Sequence, residues 1–126
     1  MWPFKRNQDE KRFPKPEWPP IQELDSVDLA AKRNDGGVDL VIVASQPLDN
    51  APETLQSIRK KVGTYLETIG IEGFQAEMGH PPKEMTTIVL VCEHPIHSQA
   101  MKVIEECKAR ANGQGIRLEL RQSMGK

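Results

Sequence analysis

Along this chain the spacing of apolar positions alternates between two and three-to-four, and each change of period marks an element. Val27–Lys32 and Val38–Ser45 read as strands. Between them lies Asn34-Asp35-Gly36-Gly37, whose residues tolerate the positive φ that tight hairpin turns require. A hairpin is predicted. The next apolar positions are Leu55, Ile58, Val62, Tyr65, Leu66 and Ile69, an amphipathic helical stripe. Asn50 is expected to cap this helix, with Pro52 in its first turn, Glu53 completing an N-x-x-E arrangement and Gly70 as the stop. Arg59, Lys60, Lys61 and Glu67 fall on the face expected to be solvated. Glu72–Gly79 reads as a short helical turn, with Phe74 and Met78 four apart, although the alternation of Ile71, Gly73 and Gln75 also permits a short strand. Gly79-His80-Pro81-Pro82 is a loop.

Thr86–Glu93 is β-branched and apolar on both parities, the pattern of an interior strand. A second helix follows, with Ala100, Val103, Ile104, Cys107 and Ala111 on one face and Asn112–Gly115 as its end. Ile116–Arg121 alternates strictly, as an edge strand with one wet face should. The order is hairpin, helix, strand, helix, strand. Two right-handed β-α-β crossovers would place both main helices on one face of a mixed four-stranded sheet, a two-layer α/β sandwich. That arrangement leaves Val41, Val43, Val89 and Val91 on the other face. Covering four such side chains is worth on the order of 6 kcal/mol at about 1.5 kcal/mol each. A cover is therefore expected: a second copy of the chain, the N-terminal segment, or another partner. Helices on both faces would also resolve the problem.

Composition changes the picture at the N-terminus. Residues 1–25 hold Pro3, Pro14, Pro16, Pro19 and Pro20, half of the ten prolines, and proline resists helix and ladder alike. The segment reads as an extended or disordered arm, ahead of an α/β domain at 26–122 and a frayed tail at 123–126. Trp2, Phe4, Phe13 and Trp18 are four of the six aromatics, and ordinary linkers are poor in aromatics. The arm is either a loose tail or a segment that docks on its own domain or a partner. A net charge of −1 argues against a nucleic-acid partner, which normally meets a basic excess. No apolar run approaches the roughly 20 residues of a spanning helix, and Lys5 and Arg6 precede no signal-like apolar stretch. With two cysteines and no disulfide framework, a cytoplasmic location is expected.

The candidate chemistry is thin. Cys92, His94 and His97 form C-x-H-x-x-H at a strand end, with ligand types that suit zinc. A structural zinc site normally needs four ligands, and Cys92 shares the inward parity of Ile88 and Leu90. One core cysteine and two loop histidines is the simpler reading, with no cofactor. Cys92 and Cys107 both read as inward-facing and inert. Neither Ser45 nor Ser98 sits in a nucleophile-elbow motif, and no glycine-rich phosphate loop is present.

Ser26-Val-Asp-Leu, the Asn-Asp-Gly-Gly turn, Val38-Asp-Leu-Val-Ile-Val and Thr54-Leu-Gln-Ser-Ile-Arg-Lys-Lys-Val-Gly-Thr-Tyr-Leu-Glu-Thr-Ile69 resemble a family of small uncharacterised bacterial proteins. The resemblance covers about residues 26–122. It implies a bacterial cytoplasmic protein with a compact α/β fold, and it carries no functional residue over.

The expected function is a non-enzymatic interaction module that self-associates, as a homodimer, or binds a protein partner. Its surface would be Val41, Val43, Val89 and Val91, with the arm aromatics Trp2, Phe4, Phe13 and Trp18. The rival is a small enzyme or ligand-binding protein with a site beyond the carboxyl ends of the parallel strands, at residues 45–50 and 93–98. A pocket there would favour the rival, and a loop-filled end would favour the module.

Overall fold

The computed structural model describes Ile21, Leu24 and residues 27–122. The arm aromatics Trp2, Phe4, Phe13 and Trp18 and the tail at 123–126 lie outside the described residues.

The predicted hairpin forms. Strand β1 (Leu29–Lys32) pairs antiparallel with β2 (Val38–Ala44), in the register Leu29 opposite Val41 and Lys32 opposite Val38. The turn closes where the Arg33 N–H donates to the Gly37 carbonyl at 2.8 Å, and Gly36 takes the positive φ (93°) that the turn needs. Helix α1 (Pro52–Ile69) then crosses to β3 (Thr86–Cys92), by way of the short helix α2 (Glu72–Met78) and a 3₁₀ turn at Lys83–Met85. Helix α3 (Ser98–Asn112) crosses to β4 (Arg117–Arg121). β2 and β3 are parallel, as are β3 and β4, so the sheet order β1-β2-β3-β4 is also the chain order.

α1 packs beside α3, so both lie on one face of the sheet. That face is the core. Leu40, Ile42, Ile88, Leu90 and Leu118 meet Ile58, Val62, Tyr65, Val103, Ile104 and Cys107 there. The expected two-layer α/β arrangement with a mixed four-stranded sheet is present, with α2 and the 3₁₀ turn added to the two main helices. Ile21 and Leu24, in the stretch read as an arm, also pack on this core, and the Thr64 hydroxyl donates to the Leu24 carbonyl at 2.6 Å.

Three local expectations need correction. α1 begins one residue later than the Asn50 cap requires. Pro52 occupies its first turn, Ala51 is the cap residue, and the Asp49 carboxylate, not Asn50, accepts the Ala51 N–H at 3.1 Å. Lys61 is not on the solvated face: its side chain is 0% exposed and pairs with Asp28 at 3.0 Å. Val89 is not left uncovered like its neighbours, being only 1% exposed. Among the described residues, no helix is long and apolar enough to cross a membrane.

Candidate functional site

Beyond the carboxyl ends of β2 and β3, two loops are stitched together. The Leu48 N–H donates to the Pro95 carbonyl at 3.1 Å, and the His97 N–H donates to the Leu48 carbonyl at 2.7 Å. These bonds form a one-residue parallel bridge between Leu48 and Ile96. The Leu48 side chain is buried in the core, so this end of the sheet is capped by apolar packing.

The candidate ligands are engaged nearby. The Cys92 thiol is buried and donates to the His94 carbonyl at 3.4 Å, and burial pushes its pKa up, away from the thiolate that a metal would need. His97 is the cap residue of α3, its Nδ1 accepting the Gln99 N–H at 3.0 Å. His94 lies in the loop between them, half-buried. Among the described residues, no group of three or more His, Cys, Asp or Glu side chains is placed to hold a metal ion. Hydrogen bonding to Thr54, then to the Ala51 N–H, holds the Asp49 carboxyl below its ordinary range, which suits a helix entry.

A second polar centre was not anticipated. The Tyr65 hydroxyl accepts from the Asp28 N–H at 2.9 Å and donates to the Val41 carbonyl at 2.5 Å. It thereby bridges the backbone just before β1 to β2. The Lys61 ammonium lies 5.7 Å from the Tyr65 ring centroid, within cation–π range, while paired to Asp28. Desolvation, helped by the Asp28 charge, pushes the Tyr65 phenol far above its ordinary value. These groups are mutually satisfied, and they lock β1 to α1. The sequence signal was the position of Lys61, three after Ile58 and four before Tyr65 on the buried stripe.

The remaining feature is the sheet face without helices. Side chains alternate across a strand, so the partners of the core residues point here. The register sets them in rows. Leu29, Val41, Val89 and Glu119 lie side by side, Val43, Val91 and Arg121 form the next row, and Ala31, Asp39, Thr87 and Arg117 flank the first on its other side. Leu29 is 46% exposed and Val43 50% exposed, the two large apolar side chains most open to solvent among the described residues. Val41 and Val91 are half-buried. The structure thus places Val41, Val43, Val89 and Val91 side by side on this face, with Val89 buried.

One end of this face is charged. Arg33 pairs with Asp39 and with Asp35 (3.2 Å), and donates to the Met85 carbonyl at 2.9 Å. The Gly37 N–H, with Arg33, holds the Asp35 carboxyl below its ordinary range. Glu119 pairs with Arg121 at 3.2 Å and with Arg117 at 3.8 Å. Together these groups border a depression of about 400 Å³. The two Val-Asp-Leu triplets thus behave alike, Asp28 binding Lys61 and Asp39 binding Arg33.

The model of DUF6572, a family of unknown function, matches residues 20–124. The chain belongs to this family. The match takes in both Val-Asp-Leu triplets, α1 and all four strands, and so the whole of the open sheet face. No curated protein and no solved structure matches the chain.

Proposed function

We propose that this member of DUF6572 is a non-enzymatic interaction module whose working surface is the helix-free face of the sheet. The observation that carries the reading is the exposure of Leu29 and Val43 on a regular sheet face, beside half-buried Val41 and Val91. Soluble domains ordinarily cover such a face or use it. The capped end of the sheet at Leu48 supports the same reading, because a ligand site beyond the parallel strands would need that volume open. The family context adds no chemistry that would favour an enzyme.

The test is site-directed photo-crosslinking in cells with the full chain. A photo-reactive amino acid replaces Val43 in one version and Glu67, exposed on α1, in another. Adducts at position 43 that are absent at position 67 are expected. Absence of any adduct at position 43 refutes the module.

A further inference from the structure

The open face carries a pattern that selects its occupant. On β4, charge alternates as Arg117, Glu119 and Arg121, and Glu119 continues the row of Val41 and Val89 while Arg121 continues the row of Val43 and Val91. Two copies packed face to face on a twofold axis in the plane between the sheets can meet in a few registers only. An axis along the strands exchanges β1 with β4 and sets Leu29 against Glu119. An axis across the strands and through the Val41 row sets Glu119 against its own copy. An axis between the Val41 and Asp39 rows presses a carboxylate onto a valine. An axis between the Val41 and Val43 rows has none of these conflicts. It lays Val41 on Val43, beside Val89, which is already buried within the single chain, and it places Glu119 of each copy over Arg121 of the other, twice by symmetry.

We infer that the open face binds a second copy of this chain in that register, as an isologous dimer sealed at the β4 edge by two reciprocal Glu119–Arg121 pairs. The inference rests on the interaction-module reading and names the partner. Face-to-face sheets pack about 10 Å apart, a gap that long glutamate and arginine side chains span. The intrachain pairs of Glu119 with Arg121 and Arg117 do not exclude it, since a carboxylate offers about four lone-pair sites. Four strands at about 4.8 Å each give a face only about 19 Å wide. The buried area is therefore near the lower limit of specific interfaces, roughly 1,000 Å² in total, and association in the micromolar range is expected.

Sedimentation equilibrium of the full chain, from about one to several hundred micromolar, tests this together with Glu119→Arg, Arg121→Glu and the double swap. Each single reversal faces like charges twice and should weaken the dimer at least about tenfold, and the double swap should restore it. Circular dichroism of each variant confirms that the sheet is intact. A monomer at every concentration overturns the inference, and so does a dimer indifferent to the single reversals. The crosslinking at position 43 separates the two readings. Adducts to a different protein, or to residues 1–20 of the same chain, overturn self-pairing alone, whereas absence of adducts overturns the module as well.

Discussion

Replacing Tyr65 with phenylalanine removes one oxygen and leaves the ring, so no cavity opens and the effect isolates a polar link. The hydroxyl accepts from the Asp28 N–H and donates to the Val41 carbonyl. Without it, both backbone groups lose a partner at a part-buried position. An unpaired buried group costs about 1–3 kcal/mol, and the low end applies to each group here, about 2–3 kcal/mol together. In a domain of this size, about 1 kcal/mol moves the melting midpoint by about 4–8 °C, so Tyr65→Phe should lower it by roughly 10–20 °C. Thermal and urea unfolding followed by circular dichroism measure this. The pH dependence gives an independent readout. Burial, and then the Asp28 charge, raise the folded phenol above its unfolded value near 10. A raised pKa contributes stability that is complete below about pH 10 and lost as pH climbs above it, because the unfolded phenol ionises first. Tyr65 is the one tyrosine in the chain, so tyrosinate absorbance reports this residue alone. Tyrosinate should appear only as the fold is lost, and Tyr65→Phe should lack that part of the alkaline destabilisation. A variant within about 0.5 kcal/mol of the parent, or tyrosinate forming near pH 10 in the folded chain, would refute the reasoning.

Two further outcomes are expected. A Cβ on Gly37 would lie 2.5 Å from the Met85 carbonyl oxygen and closer still to the Arg33 guanidinium, so Gly37→Ala should cost about 1–3 kcal/mol in urea titration and cost less in an Arg33→Ala background. Cys92 and Cys107 are buried with thiols pushed up by that burial, so at about pH 8 a water-soluble disulfide reagent should label them in denaturant and not in the native chain; rapid native labelling would contradict their placement.

Periodicity made much of the fold legible. The strict alternation of Ile116–Arg121 and the stripe from Leu55 to Ile69 each report burial through one repeating spacing, and both elements formed where that spacing placed them. The same logic exposed the valine rows, because strand parity carries through the ladder register. What escaped was set by pairing across the chain. A charged residue such as Lys61 reads as solvated, yet it is paired inward with Asp28, 33 residues earlier. The Tyr65 bridge depends on where β1 stops pairing with β2, which no local pattern encodes. The capping of the sheet end by Leu48 needed Pro95 and His97 from the next crossover. The shift of the cap from Asn50 to Ala51 turned on a single residue of helix register, with Pro52 as the first helical residue.

The coincidence of sheet order with chain order bears on how the molecule is made. No strand has to be threaded between two others, since each new strand adds to the edge left by the one before. As the chain leaves the ribosome, at about 5–20 residues per second, the β1–β2 hairpin emerges first, and β3 and then β4 join it by accretion, each brought back by its own helix. The last strand to arrive is the one that carries Arg117, Glu119 and Arg121, so the growing apolar edge is finished with charge. Charge on that edge strand guards the border at which strands from other chains would otherwise attach.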